Sequence, residues 1–481
     1  MATIDNWASE ADVVVLGFGG AGAVTAITAH DAGAKVLIIE KAEGGGNTRL
    51  ATLTFLCPLN SSEAKQHIQA LSFGRLDDTV IDEFLEWSSS NVEFVRELGG
   101  EVQVCPPGAT FPTLPGSEAM IRYRVKGEKD EFGGASLWKL LSNGIENRKI
   151  DILRHTTAKK LLRSGDEVIG VECEQAGKLT RIRSRKAVVL ATGGFEYSET
   201  MKREHISGYP IYAYGDVGNK GDGIKMAQEL GADLWHMNAV AAPLGYKFSE
   251  YDAAFIMEMP SYGIPNPPYS FIIVDQEGKR FCDETALEKY SMWMAVTRFD
   301  TGKLKYTRIP SFLIFDERTC LHGPITRVGH GANRSYRWSA DNGAEIARGW
   351  IVLAEQPEEL AQKLGIHPAK QLRTTLEAYS KNCQLGKDEE FLRPKKTLQP
   401  LSNRLFGVPV WPGLLNTQGG PRRNERGQIL NVWQKPIPRL YGAGELGSIW
   451  GFLYQSGGNL GECLALGRMV GRNAAAETPV Y

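Results

Sequence analysis

The chain has 481 residues, and its 55 basic and 56 acidic side chains leave a formal net charge of −1 at pH 7. This balance argues against nucleic acid or a membrane surface as the main partner. No apolar run is long enough for a membrane-spanning helix, and the N-terminus does not resemble a signal peptide, so we expect a cytoplasmic protein without stable membrane insertion. The length predicts two or three domains.

The cysteines and histidines do not predict a metal site. The seven cysteines are scattered without C-x-x-C spacing, so we interpret them as reduced thiols and expect no haem attachment or zinc site. His236, His322 and His330 show no metal-ligand spacing either, and we interpret them as polar core or surface residues.

The N-terminal region carries a nucleotide-binding pattern. Residues 11–16 predict an apolar strand, a glycine-rich turn follows at 17–22, 23–32 predict a helix, and a second strand at 35–39 ends at Glu40. In such a unit the glycines bring the backbone close to a pyrophosphate and let the helix pack on the strand, while the acid binds ribose hydroxyls. The pattern indicates a dinucleotide site, and a purely structural turn explains less of it.

Further glycine-rich turns favour FAD over NAD. One lies at 41–48, directly after Glu40, and others follow the apolar strands at 187–190 and 440–442. Four separated turns suit one long cofactor that is contacted along its whole length, and FAD is such a cofactor. The residues that we expect to contact it are Gly17, Gly19, Gly20, Ala21, Gly22, Glu40, Lys41, Gly46, Asn47, Thr48, Ala158, Ala191, Thr192, Gly193, Gly194, Asp222, Gly444, Glu445, Gly458, Asn459 and Leu460.

The pattern of elements predicts a discontinuous α/β FAD-binding domain, Rossmann-like, over 1–244 and 404–481. The composition changes between these segments, since residues 245–403 contain prolines and many aromatic residues. This change predicts an inserted α+β cap domain. Within the first segment a helix is expected from Ile224 to Leu230, with Asp222 as its N-cap.

The C-terminal block, 440–462, is the most informative stretch. An apolar strand ends in Gly-x-Gly-Glu, and a Gly-Gly-Asn loop precedes a helical pattern that begins at Leu460. A helix N-terminus offers free backbone N–H groups and a positive dipole end to an electron-rich ring or an anion. We therefore expect the flavin ring and a substrate to meet at this loop.

Together with the first and third glycine turns, 278–284 (Gly-Lys-Arg-Phe-Cys-Asp-Glu) and 417–420 (Thr-Gln-Gly-Gly), this block resembles the fumarate reductase / 3-ketosteroid dehydrogenase flavoprotein superfamily over essentially the whole chain. The resemblance implies a non-covalently bound FAD in a Rossmann-like domain, with a cap domain over the isoalloxazine. It also implies an oxidoreductase that adds or removes hydride and proton across a C–C bond next to a carbonyl.

Charge distinguishes the branches of this superfamily. Fumarate-type enzymes hold a dicarboxylate with two arginines and a histidine, and the matching positions here are Gln455, Asn416 and the stretch 285–289, none of them Arg or His. A buried carboxylate without such partners is costly. A neutral carbonyl substrate is therefore favoured.

The residues at the loop resemble the ketosteroid branch. Tyr454 and Gly458 match the Tyr-x-x-x-Gly pattern of the 3-ketosteroid Δ1-dehydrogenases, in which the hydroxyl and the glycine N–H bind the ketone oxygen, and the Tyr-x-Ser at 454–456 resembles the Δ4-(5α) enzymes. Two such donors stabilise a developing enolate and acidify the neighbouring C–H. Ser456 is either a further donor or a small turn residue.

For the base we favour Tyr290, which follows the 280–284 run as the catalytic tyrosine of this branch does, with Tyr123, Tyr262 and Tyr269 as alternatives. A phenol can act as a base when neighbouring donors stabilise its phenolate. The alternative reading is a tyrosine packed in the cap with its hydroxyl bonded to backbone.

Two other charged features have simpler explanations. We interpret Glu284 as a structural acid that ties the cap to the flavin domain, with proton relay as the alternative. The basic cluster at 422–426 is interpreted as a solvated turn, or else as the site of an anionic group on the substrate.

Three functions fit these patterns. The first is an FAD-dependent dehydrogenase of a small-molecule cyclic ketone, a steroid or a single ring, which passes electrons to an external acceptor. The second is the reverse reaction, an enone or enoate reductase. The third is an electron-transferring flavoprotein subunit with no substrate site, which the aromatic-rich cap argues against.

Overall fold

The protein is described by a computed structural model that covers residues 6–51, 54–59, 61–105, 110–127, 133–259, 270–285, 290–401 and 404–480. The chain forms two compact units. Unit 1 comprises Met1–His205, Asp216–Val240 and Asn416–Tyr481, and unit 2 comprises Ile206–Gly215 and Ala241–Leu415.

The strands and helices are as follows. The strands are β1 (Ser9–Leu16), β2 (Val36–Ile39), β3 (Phe55–Leu56), β4 (Val102–Val104), β5 (Arg122–Val125), β6 (Asp151–Leu153), β7 (Thr156–Ser164), β8 (Glu167–Gln175), β9 (Lys178–Leu190), β10 (Tyr212–Ala213), β11 (Leu234–Trp235), β12 (Val240–Ala241), β13 (Leu244–Tyr246), β14 (Phe255–Ile256), β15 (Phe271–Val274), β16 (Ser311–Asp316), β17 (Val352–Ala354), β18 (Leu405–Leu414), β19 (Asn416–Thr417), β20 (Gly420–Pro421), β21 (Gln428–Leu430) and β22 (Pro436–Gly442). The α-helices are α1 (Gly20–Asp31), α2 (Gly46–Leu50), α3 (Ser61–Ser72), α4 (Asp78–Ser88), α5 (Asn91–Glu97), α6 (Gly133–Asn147), α7 (Glu199–His205), α8 (Asp222–Gln228), α9 (Met292–Val296), α10 (Glu317–His322), α11 (Gly343–Ala347), α12 (Pro357–Leu364), α13 (Ala369–Leu385) and α14 (Gly458–Ala476).

Unit 1 is built on a sheet with the strand order β21-β22-β9-β1-β2-β6. Four of its pairings are parallel: β22 with β9, β9 with β1, β1 with β2, and β2 with β6. The apolar runs of β1, β2 and the end of β9 are buried on both faces, as expected for parallel strands covered by helices. Their carboxyl ends, at 16, 39, 190 and 442, therefore lie along one edge of the sheet.

Helices α1 and α14 pack closely in unit 1. A methyl group at Gly471 of α14 would lie 2.5 Å from the carbonyl oxygen of Thr25 in α1, and one at Gly467 would lie 3.0 Å from the Val24 side chain. Only glycine fits at Gly471 without displacing backbone. Because α1 follows the first glycine turn, this packing fixes the start of α14 relative to that turn.

Unit 2 contains a sheet in the order β14-β13-β18-β16-β15, with β10 and β17 also paired to β18. An aromatic cluster that includes Phe248, Phe255, Trp338 and Trp350 packs in this unit, with the Phe248 and Trp350 rings stacked at 4.1 Å. Helices α12 and α13 belong to a second apolar cluster of the unit. No helix in the described part of the chain is long and apolar enough to cross a membrane.

The two units follow the order of the predicted domains but differ from them at the boundaries. We place the boundaries at 244 and 404 from the sequence, whereas the units divide after Val240 and after Leu415, and 206–215 join unit 2. The reason is β18, which we assign to the FAD-binding domain from its sequence but which is the central strand of the unit 2 sheet.

Candidate active site

A cavity with a volume of about 290 Å³ lies at the carboxyl edge of the unit 1 sheet, and all of its wall comes from unit 1. The sequence-predicted residues that line it are Gly17, Gly19, Gly20, Ala21, Glu40, Lys41, Gly46, Asn47, Thr48, Ala158, Ala191, Thr192, Gly193, Asp222 and Glu445. Those predicted as cofactor contacts that do not line it are Gly22, Gly194, Gly444, Gly458, Asn459 and Leu460.

The strand order explains why the wall of the cavity is long. Glu40 follows β2 and Glu445 follows β22, and β1 and β9 lie between these two strands. Three strand spacings correspond to about 14 Å, because neighbouring strands are about 4.8 Å apart. A cofactor that contacts both ends must be extended, which fits FAD.

The first glycine turn, which we predict to approach a pyrophosphate, is closed by hydrogen bonds to Glu40. The Glu40 carboxylate accepts hydrogen bonds from the backbone N–H groups of Phe18, at 2.7 Å, and Ala42, at 2.8 Å, so it closes the turn while lining the cavity. A methyl group at Gly22 would lie 2.0 Å from the Gly17 carbonyl oxygen. Gly22 therefore serves the packing of α1 on its turn, which is why it does not line the cavity.

Asp222 lines the cavity but is not the N-cap that we predict from the sequence. Helix α8 begins at Asp222 itself, and Gly221 occupies the N-cap position with a left-handed backbone. The Asp222 carboxylate instead pairs with the Lys41 ammonium group at 2.6 Å. This ion pair joins two predicted cofactor residues that lie far apart in the chain.

Glu196 is a residue of this region that we do not predict from the sequence. The Asn47 side-chain amide donates to Glu196 at 2.7 Å and to Glu445 at 3.1 Å, and Glu196 is fully buried. The sequence feature that could have indicated Glu196 is its position, two residues after the Gly193-Gly194 turn.

The loop at 454–458, which we predict to bind the substrate, folds tightly before α14. The backbone N–H of Asn459 donates to the Tyr454 hydroxyl oxygen at 3.4 Å, so the phenol lies at the first turn of the helix. Gly457 has a left-handed backbone, and the Gly458 N–H donates to the Gln455 carbonyl at 2.8 Å. The Gly458 N–H, which we predict as a donor to the substrate, is thus used in this turn, and the role of the Tyr454 hydroxyl stays a prediction.

Two basic side chains that the loop motif does not contain come from elsewhere in unit 1. The Arg122 guanidinium, on β5, donates to the Ser456 hydroxyl oxygen at 3.4 Å. The His67 imidazole, on α3, lies 3.2 Å from the side-chain oxygen of Gln455. From the sequence we argue that the positions matching the fumarate-type cations carry no Arg or His. In the folded chain, Arg122 nevertheless lies at this loop, because β5 packs against it. Asn416 hydrogen bonds to Gln418 at 3.2 Å.

The candidate bases lie in different places. Tyr290, in unit 2, accepts a hydrogen bond from the Ala242 N–H on its backbone carbonyl at 2.9 Å. The pKa of the nearby Arg327 guanidinium is raised. Burial works to lower this pKa, but the ion pair with Glu258 and, to a smaller extent, the charge of Tyr290 raise it. Tyr123, on β5 in unit 1, stacks on Phe55, and burial raises the pKa of its phenol. Tyr262, Tyr269 and 286–289 lie outside the described residues.

Glu284 and the basic cluster are structural. Glu284 is fully buried and pairs with Arg280 at 2.8 Å and with Arg393 at 3.2 Å, so the tie that it makes lies within unit 2. Arg423 is buried, pairs with Glu462 at 2.6 Å and donates to the Gly447 carbonyl at 2.9 Å. The 422–426 cluster is therefore not simply a solvated turn, because Arg423 holds the backbone before α14.

The histidines and cysteines are placed as follows. His236 is buried between the carbonyl oxygens of Ser448, at 2.8 Å, and Arg75, at 3.3 Å, while His330 is buried in unit 2 and His322 is exposed. All seven cysteines are free thiols. Within the described ranges, no group of His, Cys, Asp and Glu side chains could hold a metal ion.

Comparison with known proteins identifies the family of the chain. Residues 12–460 match the model of the FAD binding domain family, and the chain belongs to that family. It is an FAD-dependent oxidoreductase of the fumarate reductase / ketosteroid dehydrogenase type, which confirms the predicted superfamily, Rossmann-like fold and cofactor.

The individual relatives differ in activity. The chain is 28% identical to the NADH:fumarate oxidoreductase of Klebsiella pneumoniae over 96% of its own length, but it spans only 47% of that protein. It is 25% identical to the 3-oxosteroid 1-dehydrogenase of Mycolicibacterium smegmatis, with 97% of each chain covered. The structure of 3-ketosteroid Δ1-dehydrogenase from Sterolibacterium denitrificans superposes with a TM-score of 0.84, at 20% identity, over 97% of this chain and 99% of that one.

Proposed function

We propose that the protein is an FAD-dependent dehydrogenase that introduces a C=C bond next to the carbonyl of a cyclic ketone, such as a 3-ketosteroid or a cyclohexanone derivative. A proton leaves the α carbon and a hydride leaves the β carbon. Bound FAD would supply the hydride acceptor at N5, and an external acceptor would then take the electrons.

The observation that carries this proposal is the position of the Tyr454 hydroxyl at the N-terminus of α14. Its oxygen accepts the Asn459 N–H, and a phenol hydroxyl can also donate, so in this proposal the Tyr454 O–H donates to the ketone oxygen. The dipole of α14 adds a positive potential at its N-terminus. Both effects stabilise the negative charge that develops on the oxygen when the α proton leaves.

Ser456 is the second donor in this proposal. Because the Gly458 N–H is used in the turn, the loop needs another group to bind the carbonyl oxygen. The Ser456 hydroxyl oxygen accepts from Arg122, and in this proposal the serine O–H donates to the carbonyl oxygen. The neighbouring cation makes that O–H a stronger donor.

For the base we propose Tyr290. Its place after the 280–284 run, where the resembled branch has its catalytic tyrosine, supports the choice. Replacement of Tyr290 by Phe should abolish turnover of the ketone while leaving the affinity for FAD unchanged. Full activity of Tyr290→Phe would remove it from the mechanism.

The reverse reaction, reduction of an enone or enoate, is the second candidate. Arg122 at the 454–458 loop favours it, since its guanidinium offers a cationic hydrogen-bonding partner for a carboxylate. The similarity to an NADH:fumarate oxidoreductase supports it as well. The same loop chemistry serves both directions, so the direction must be measured.

Two experiments test the proposal. Replacement of Tyr454 by Phe should lower kcat with cyclic ketones by about 100- to 1,000-fold, the usual effect of losing one oxyanion donor, without loss of FAD. Tyr251→Phe, in the aromatic cluster of unit 2, is the matched control and should keep full activity. Full activity of Tyr454→Phe would contradict this mechanism and favour an electron-transferring flavoprotein.

The second experiment determines the direction. The oxidised enzyme is mixed anaerobically with saturated ketones, and the reduced enzyme with the matching enones, while flavin absorbance is followed. Bleaching by ketones supports the dehydrogenase, and reoxidation by enones alone supports the reductase. If neither changes the spectrum and fumarate-like acids do, the ketone proposal is wrong.

A further inference from the structure

Two buried carboxyl groups meet edge to edge beside the cofactor cavity. On one edge, the Asn47 side-chain nitrogen lies 2.7 Å from Oε1 of Glu196 and 3.1 Å from Oε2 of Glu445. On the other edge, a methyl group at Gly194 would lie 2.6 Å from Oε2 of Glu196 and 2.5 Å from Oε1 of Glu445. Both oxygens of the second edge thus approach the same point.

The two edges differ in their hydrogen bonds. The Asn47 amide oxygen accepts from the Asp216 N–H at 2.8 Å, which fixes the amide so that its two N–H groups face the carboxyls, one for each. Oε2 of Glu196 and Oε1 of Glu445 are buried and receive no donor from the residues that the structure describes. A single proton held between these two oxygens would satisfy both.

The charges around the pair support this assignment. No lysine or arginine in the described ranges forms a salt bridge with either carboxylate, and two unpaired charges in a buried site would be very costly. Burial and then the charge of Glu196 raise the pKa of Glu445, and burial also raises the pKa of Glu196.

Among the described residues, none of the other titratable groups on the cavity wall forms a salt bridge with Glu196 or Glu445. Lys41 is paired with Asp222 at 2.6 Å, and Asp216 donates its N–H to Asn47. The Cys463 thiol, on α14, has its pKa raised by burial and by the charges of Glu462 and Glu445, so it remains neutral. The remaining acids and bases of the wall are Glu40, Glu43 and Arg49.

The position of the pair indicates which part of the cofactor it serves. Glu445 follows β22, three strand spacings from Glu40, the acid at the end of β2. An acid at the end of the second strand binds the ribose in this kind of fold, so the pair lies towards the opposite, ring-bearing end of the cavity.

We propose that Glu196 and Glu445 hold one proton in common, between Oε2 and Oε1, and that the pair takes up a second proton when two electrons enter the cofactor bound in the adjoining cavity. Bound FAD would take up two electrons and one proton on reduction, a net gain of one negative charge. The second proton comes from solvent and neutralises the pair, so the total charge of the site does not change. Oxidation releases both protons.

This inference rests on the FAD site and not on the identity of the substrate. Glu196 acts on the cofactor through its charge and through Glu445, and is therefore a positioning residue. The test uses no ketone or enone, so its outcome is separate from that of the proposed function.

The first test counts protons in the holoenzyme. The midpoint potential of the flavin is measured against pH, with a slope of roughly 30 mV per pH unit for each proton taken up in a two-electron couple. We expect two protons for the unmodified protein and one for Glu196→Gln, with Glu445→Gln as a second variant. Equal slopes in the unmodified protein and the two variants would overturn the proposal, as would a single proton in the unmodified protein.

The control for the first test is Glu174→Gln. Glu174 lies on β8 and pairs with Lys159 on the surface, so this variant should still take up two protons on reduction.

The second test examines the cofactor-free protein by infrared spectroscopy at pH 7. The difference between it and the Glu196→Gln/Glu445→Gln protein should show the C=O band of one protonated carboxyl. The absence of this band, or an intensity of two carboxyls, would overturn the shared proton.

Discussion

The imidazole Nε2 of His67 lies 3.2 Å from the side-chain oxygen of Gln455, and both side chains are buried. The other ring nitrogen, Nδ1, lies 3.0 Å from the Pro115 carbonyl oxygen, which can only accept, so Nδ1 carries a hydrogen. In a neutral imidazole Nε2 then accepts. The Gln455 amide must therefore turn its nitrogen towards His67, which also gives a partner to an amide nitrogen that has none in the opposite orientation.

Replacement of Gln455 by Leu should lower the free energy of unfolding by about 1–3 kcal/mol, because it leaves the buried Nε2 of His67 without its partner. Urea unfolding of the holoenzyme measures the change. The control is Gln66→Leu, which lies next to His67 on the exposed side of α3 and should have little effect on stability. An unchanged stability in Gln455→Leu would show that the pair is not a hydrogen bond in solution.

Replacement of Arg122 tests whether the substrate carries an anionic group. If a carboxylate on the substrate binds this guanidinium, Arg122→Gln should raise KM for carboxylate-bearing substrates by about 10- to 100-fold more than KM for neutral ketones, the value of a charged hydrogen bond. Steady-state kinetics with matched acids and esters makes the comparison.

The control for Arg122 is Arg124→Gln on the same strand, since Arg124 is exposed and bonds to Gln103 at 2.9 Å. A loss of kcat/KM that is equal for acids and esters would mean that Arg122 serves Ser456 and not an anionic group. In that case the neutral ketone is the better substrate class.

His236 should make the protein less stable in mild acid. Burial lowers the pKa of its imidazole to about 4 from 6.5 and outweighs the two carbonyl acceptors, which favour the charged form. Between these pH values the unfolded chain binds a proton that the native protein does not, so stability falls as pH drops from 6.5 towards 4 and then levels. The full loss is about 3 kcal/mol.

Thermal unfolding between pH 4 and pH 7 tests this dependence. His236→Asn should flatten it, whereas His30→Asn, at an exposed site beside Asp31, should leave it unchanged. A pH profile that is the same in His236→Asn and in the unmodified protein would assign the acid sensitivity to other groups.

The nucleotide-binding unit was open to prediction because its causes are local. The strand, turn, helix, strand and acid from 11 to 40 lie within about thirty residues, and each element depends on its own apolar pattern or on glycine. The structure has β1, α1 and β2 in that order, with Glu40 at the cavity wall. The prediction of FAD as the cofactor depended on the number of glycine-rich turns that are separated along the chain.

The partners of individual polar groups could not be predicted, because each depends on where a distant segment packs. Asp222 is the first residue of α8 and pairs with Lys41, which is 181 positions away. Arg423 binds backbone carbonyls and Glu462. The Gly458 N–H is lost to a turn that depends on the left-handed backbone of Gly457.

The sequence by itself determined the family, the cofactor and the loop at 454–458, because glycine positions and apolar strands act over short distances along the chain. Only the tertiary structure brought Arg122 and His67 to that loop and set Glu196 against Glu445. The physical reason is that charge and hydrogen bonding depend on distance in space. Strand order and helix packing decide that distance, and neither is written in a local motif.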